Sequence, residues 1–224
     1  MYHELFDEQC QNKMRSFFLD KLSKRGRTQE FKKGEIVNIP DQKYVAIVTS
    51  GKFKQVLYSG KGSEKSLFIL QPGEIFGEMD FFSCGKGNVI NRAMESSKLS
   101  VVGGDELDRF LIEDPEGYRF FIHSVTRKFR IVMFQMADMV FNSAAGKIAN
   151  MLLRLSSQEG KREGDTVLID IPLTHQELAS LVGCSRTTVT KELNLMRDKG
   201  IVDIQSKKII IKDLDKLKDL IDSV

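Results

Sequence analysis

Five side chains, Arg186, Thr187, Thr190, Lys191 and Asn194, share one face of a predicted helix over Arg186–Asp198. All five form hydrogen bonds and two are cations. A DNA major groove accepts such a face: cations meet guanine edges and phosphates, and short hydroxyls meet phosphates and bases. The opposite face carries Val189, Leu193 and Met196 at spacings of four and three, the seam of a buried helix.

The segment just before this helix must hold it in place. Thr174 and Glu177 stand at the S/T-x-x-E spacing of a capping box and open a short helix with Leu178, Leu181 and Val182 on one side. Ala179 is small enough for a second helix to approach. Gly183 falls where the chain must turn, and Ser185 is a good N-cap for the second helix. The reading is a helix-turn-helix whose second helix reads DNA. Thr174, Ser185, Arg186, Thr187, Thr188, Thr190 and Lys191 are its candidate DNA contacts. Downstream, Ile201–Ile204 and Ile209–Lys212 flank QSKK as a basic hairpin, so that Lys207 and Lys208 are candidate phosphate contacts on a wing. From Arg186 to Lys212, seven Lys or Arg against three Asp or Glu leave +4, on a chain whose net charge is only +3.

The rest of the chain divides by pattern. Residues 1 to about 28 read as short helices. From Phe31 to Val102, strands are predicted at Ile36–Ile39, Tyr44–Thr49, Phe53–Tyr58, Ser66–Leu70, Val89–Met94 and Leu99–Val102. Gly-marked turns at intervals of about ten residues separate them, as in an antiparallel sandwich or barrel. A helical pattern at Asp105 breaks at Pro115. Tyr118, Ile122, Val125, Phe129, Val132, Met136 and Met139 then recur at spacings 4-3-4-3-4-3, the a and d positions of a two-helix seam. Phe121, Phe134, Val140 and Phe141 add a second apolar strip, so one strip packs within the chain and the other meets a partner helix. Asn142 and Ser143 can cap the next helix, Ala144–Ser157. QEGKREGD reads as a polar loop and Thr166–Ile171 as a strand.

The fold class is therefore α+β. An N-terminal antiparallel β-roll over residues 1–112 is followed by a dimerisation helix and hinge over 113–142. A C-terminal winged helix-turn-helix occupies 143–224. Three scattered cysteines, Cys10, Cys84 and Cys184, form no metal-binding spacing, so no metal or cofactor is expected, and their sparse use suits a reducing cytoplasm. Neither a signal-peptide profile nor an apolar run long enough to span a membrane is present. No nucleophile–base pair or phosphate-cradling loop at a strand–helix junction marks an enzyme: SGKGS is a hairpin turn with no helix after it.

With these motifs in place, the chain resembles the Crp/Fnr family of bacterial transcription regulators over nearly its full length. The most specific segment is LTHQELASLVGCSRTTVTKEL, with PGEIFGEMDFF as the sensor-barrel segment and AAGKIANMLLRLS as the first helix of the DNA-binding domain. The resemblance implies a homodimer on a palindromic operator, signal sensing in the β-roll, and RNA polymerase as a partner. A β-roll that instead regulates a partner protein is the alternative. The departures concern the signal. Cyclic-AMP-binding members carry an Arg-Ser or Arg-Thr pair about ten residues beyond the Gly-Glu. Here that place reads Gly85-Lys86-Gly87-Asn88 and the next arginine is Arg92, so the cyclic phosphate lacks its bidentate partner. Val132 and Met133 stand where those members carry adenine-contacting hydroxyls. The expected effector is thus a small molecule other than cyclic AMP, lined by Gly77, Glu78, Asn88, Arg92, Val132 and Met133, or a redox signal at Cys10 or Cys84. In the reading helix, Thr187 and Lys191 replace the family's frequent Glu and Arg, so the operator differs as well.

Overall fold

A computed structural model describes residues 7–40, 43–83 and 87–221. The chain forms two compact units, Phe6–Arg130 and Ile131–Val224.

The first unit opens with α1 (Glu8–Asp20), whose N-cap Asp7 accepts a hydrogen bond from the Cys10 amide. A 3-10 turn (Leu22–Arg25) leads into β1 (Arg27–Phe31). The strands β2 (Tyr44–Ser50), β3 (Phe53–Tyr58), β4 (Glu64–Leu70) and β5 (Ile75–Phe76) come next in the chain. After them stand the short helix α2 (Glu78–Phe82) and the strands β6 (Ile90–Ala93) and β7 (Ser97–Gly103). Helix α3 (Gly104–Glu113) precedes α4 (Gly117–Phe141), which belongs to this unit as far as Arg130.

The strands form two antiparallel sheets, ordered β1-β7-β2-β5 and β4-β3-β6. Phe53 of the second sheet meets Phe31 and Phe76 of the first, with ring centroids 5.6 and 6.2 Å apart. This aromatic contact closes the roll. Met14, Phe17 and Phe18 of α1, Leu107, Phe110 and Leu111 of α3 and Phe121 of α4 pack with Val45, Ile47, Ile75 and Val102 into one core. Helices therefore cover a face of the first sheet, as its apolar residues require.

The second unit holds α5 (Ala144–Glu159), β8 (Gly160–Glu163) and β9 (Thr166–Ile169). Helices α6 (His175–Val182) and α7 (Arg186–Asp198), strands β10 (Val202–Gln205) and β11 (Lys208–Ile211), and α8 (Leu214–Lys218) complete it. Its sheet order is β10-β11-β9-β8. Between α4 and α5 the helix stops for two residues. Asp138 Oδ1 accepts from the side chains of Asn142 (3.0 Å) and Asn150 (2.6 Å), and Ser143 Oγ caps α5 through the Gly146 amide.

The fold class agrees with the reading of the sequence, and several elements correct it. Ile36–Ile39 forms only an isolated bridge from Ile36 to Arg92, not a strand. Pro40 stands directly after it, and the segment carries no alternation to bury. β1 lies where the helical N-terminus was expected to exit, and it pairs its whole length with β7. β8 occupies the expected loop QEGKREGD and pairs with β9, although all four of its residues are exposed. β9 ends at Ile169, two residues short of its expected end, which releases Asp170 to the surface. None of the helices searched is long and apolar enough to cross a membrane.

Candidate DNA interface and signal site

The helix-turn-helix is built by local hydrogen bonds that its sequence specifies. Thr174 Oγ1 accepts from the Glu177 amide (3.1 Å), and the Glu177 carboxylate accepts from the Thr174 amide (2.8 Å). This completes the capping box. Gly183 ends α6 at φ 72°, a left-handed conformation that glycine adopts without a Cβ penalty. Ser185 Oγ then accepts from the Thr188 amide at 3.0 Å and caps α7. Val189, Leu193 and Met196 are buried, which fixes the rotation of α7 and turns Arg186, Thr187 and Lys191 outward, all exposed. Among the described residues no carboxylate pairs with Arg186, Lys191 or Lys207.

Not every hydroxyl of the predicted face is available. Thr190 Oγ1 donates to the Arg186 carbonyl (2.9 Å), so it can only accept from His175 Nδ1 (2.8 Å). That bond ties α6 to α7 and makes Thr190 a positioning residue first. The hydroxyls of Thr187 and Thr188 lie 2.7 and 2.8 Å from Ser185 Oγ. His175 was missed in the sequence because a histidine at a helix start has no periodic signal.

At the wing, β10 and β11 pair in register from Val202–Ile211 to Gln205–Lys208. Their two-residue turn holds Ser206 at φ 50° and Lys207 at φ 66°. Positive φ at both central positions gives the twist a tight hairpin needs, and neither residue is the glycine or asparagine that takes it most easily. Lys207 sits at this tip. Lys208 does not stand free: its ammonium and that of Lys161 both hold Asp170, each at 2.5 Å. Hydrogen bonds from Lys161 and then Lys208 pull the Asp170 carboxyl down to about 2, so it stays charged wherever the protein is folded. Lys212 likewise pairs with Asp203 at 3.2 Å. Part of the +4 of this segment is therefore neutralised internally.

In the first unit, Gly77 takes φ 90° at the start of α2, and a Cβ there would lie 2.5 Å from the Tyr44 carbonyl oxygen. Only glycine fits, and it delivers Glu78 into the interior at 1% exposure. The Glu78 carboxylate does not face an open acceptor site. Its Oε1 accepts from Lys128 Nζ of α4 at 2.6 Å, and the same ammonium donates to the Ile75 carbonyl at 2.8 Å. Glu78 Oε2 is buried with no hydrogen-bond partner.

Next door, Glu74 accepts from Gln11 (2.8 Å) and Arg15 (3.0 Å) and pairs with Arg127 (3.1 Å). Burial pushes the Glu74 carboxyl up, but the Arg127 and Arg15 guanidiniums outweigh it and hold the group below the usual carboxylate range. Two successive cations of α4 are thus tied to two glutamates of the PGEIFGE segment.

The other residues expected to line the signal site are placed apart. Arg92 pairs with Glu64 at 3.3 Å and lies 5.8 Å over the Tyr58 ring. Asn88 is exposed. Val132 and Met133 belong to the second unit, half-buried and exposed respectively. Gly85, Lys86 and the candidate redox residue Cys84 lie outside the described residues. No cluster of His, Cys, Asp and Glu that could hold a metal ion occurs among the described residues.

Comparison with known proteins agrees with this arrangement. Residues 28–114 match the cyclic nucleotide-binding domain and residues 146–220 the Crp-like helix-turn-helix domain. A CRP-like cAMP-activated global transcriptional regulator of Mycobacterium tuberculosis is 29% identical over 171 residues, 76% of each chain. The anaerobic regulatory protein of Bacillus subtilis is 26% identical over 180 residues, 80% of this chain and 76% of its own. The solved structure of CprK complexed with OCPA superposes with a TM-score of 0.72 at 25% identity, covering 90% of this chain and 92% of that one. A sensor-type β-roll, a long helix and a capped helix-turn-helix in this order, matched by both domain families, place the chain in the Crp/Fnr family of DNA-binding transcription regulators.

Proposed function

We propose that this regulator acts as a cytoplasmic homodimer on a palindromic operator and answers to a small effector or redox signal other than cyclic AMP. The observation that carries the DNA reading is the outward face of α7, where Arg186, Thr187 and Lys191 are exposed on a helix fixed by its caps and buried stripe. Two copies related by a two-fold axis would set two such helices into successive major grooves. The wing tip at Lys207 would reach the phosphate backbone, and Thr174, Ser185, Thr188, Thr190 and Lys208 would support the reader rather than read. Once placed on DNA, such a regulator changes transcription through RNA polymerase.

Support for the dimer comes from α4. Tyr118, Ile122, Val125, Phe129, Met136 and Met139 are all exposed on the single chain and Val132 is half-buried. A row of large apolar side chains of this kind calls for a cover. Support against cyclic AMP comes from Lys128, which already satisfies Glu78, and from Arg92, which is committed to Glu64.

Two measurements test this reading. Arg186→Ala is expected to cost about 1–3 kcal/mol on the cognate operator and to spare non-specific binding, whereas Lys207→Ala weakens all sequences alike and flattens the salt slope by about one unit. Fluorescence anisotropy across a salt series separates the two, and unchanged specific affinity in Arg186→Ala would remove α7 as the reader. For the signal, calorimetry should detect no cyclic AMP binding below about 100 μM, because a lost charge-assisted phosphate contact weakens a ligand by about 10- to 150-fold. Micromolar cyclic AMP binding that disappears in Glu78→Ala would restore nucleotide control.

A further inference from the structure

A chain of hydrogen bonds in the first unit ends on a cysteine. Its polarity is determined from one end to the other. Glu74 is an ionised carboxylate and can only accept. The atom of Gln11 that reaches it, 2.8 Å away, must therefore be the amide nitrogen. Gln11 then turns its carbonyl oxygen to His123 Nε2 at 3.2 Å, so this ring nitrogen carries the proton. In the neutral imidazole the other nitrogen, Nδ1, has a free lone pair, and Cys10 Sγ lies 3.4 Å from it. The thiol is the donor. A base is thus aimed at a nucleophile and oriented by a third group, the arrangement by which enzymes activate cysteine.

The surroundings suit the chemistry. Cys10 lies in the first turn of the 13-residue α1, where the helix dipole favours a thiolate. Cys10 is half-exposed, so a small molecule can reach it. Burial, with Arg127 and Arg130, holds His123 below the usual histidine range against the opposing pull of Asp7, which keeps the ring neutral and able to take a proton. The same arginines stabilise negative charge on sulfur.

We propose that Cys10 and His123 form a reactive thiol site whose substrate is a hydroperoxide. As sulfur attacks the terminal peroxide oxygen, the thiol proton passes to His123 Nδ1 and the O–O bond breaks. The leaving hydroxide takes that proton back as water, or as an alcohol leaves from an alkyl peroxide. The thiol becomes a sulfenic acid, oxidised by two electrons, and the peroxide is reduced by two. The product no longer offers an S–H to His123. That change reaches Glu74 through Gln11, and Glu74 is where Arg15 of α1 and Arg127 of α4 meet. The site gives a residue to the redox arm of the regulator reading, but its chemistry is measured without DNA and stands or falls separately.

The test uses the full-length protein, limiting hydrogen peroxide and a dimedone-type trap, with labelling at each cysteine read by peptide mass spectrometry. Cys184, also free and half-exposed, is the internal reference. Cys10 should label about ten-fold or more faster than Cys184, and the ratio should fall toward one in His123→Gln, since a general base contributes about 10²-fold or more. If His123→Gln lowers the melting temperature, the wild-type ratio and that of Gln11→Leu, which removes only the orienting carbonyl, decide instead. Equal labelling of the two cysteines in the wild type, or a ratio unchanged in a folded His123→Gln, overturns the proposal. Operator binding measured in parallel shows whether the regulator reading fails on its own.

Discussion

Replacing Phe129 and Met136 together by glutamate is expected to turn the protein into a monomer and to lower operator affinity by about 100-fold or more. Both side chains are exposed on the single chain, at 63% and 62%, so the double variant removes nothing that the monomer's core uses. In a two-helix seam each would face its counterpart across an apolar interface. Four carboxylates would then be desolvated without cations, a cost of several kcal/mol for each ion. The DNA affinity falls because each monomer holds one half-site, and the second contact is no longer intramolecular. Sedimentation at micromolar concentration measures the first effect and anisotropy the second, with far-UV circular dichroism confirming an intact fold. A wild-type monomer, or a variant that remains dimeric, would rule out α4 as the seam.

The second large effect concerns Lys128. Lys128→Met should destabilise the first unit by about 3–5 kcal/mol, since it leaves the Glu78 carboxylate buried with no cation and the Ile75 carbonyl without its donor. For a unit of this size that is a fall of roughly 10 °C in its calorimetric transition. Adding Glu78→Gln to Lys128→Met should recover much of the loss, because the uncompensated charge is gone even though the ion pair is not restored. The double-mutant cycle then reports a coupling of about 1–3 kcal/mol. A Lys128→Met protein within about 1 kcal/mol of the wild type would mean that water or a rearranged side chain already satisfies Glu78.

The elements with a buried stripe were the legible ones. α7 was bounded correctly because Val189, Leu193 and Met196 give a helical period and Ser185 gives its start. β8 was not seen, since Gly160–Glu163 has no buried face and its pairing is dictated by β9. β1 escaped for the same reason: RTQEF carries one apolar residue, and its register comes from β7. The site shows the same division. Local contacts such as the capping box can be read from spacing alone. Lys128–Glu78 cannot, because 50 residues separate the partners and a lysine beside an apolar seam reads as solvated. Cys10 and His123 are 113 residues apart, and only the packing of α1 beside α4 brings them together.

The lysines that hold Asp170 bear on how such a protein finds its operator. A genome offers about 10⁶–10⁹ competing sites, and time spent on them grows with every unpaired cation on the binding face. Asp170 offsets Lys161 and Lys208, and Asp203 offsets Lys212, which leaves Arg186, Lys191 and Lys207, among the described residues, as the free cations of the reader and wing tip. The protein would therefore dwell briefly on random sequence and exchange sites quickly. Occupancy of the operator then depends on base contacts made by α7 more than on general attraction to the duplex, and a modest number of copies per cell remains mobile enough to search.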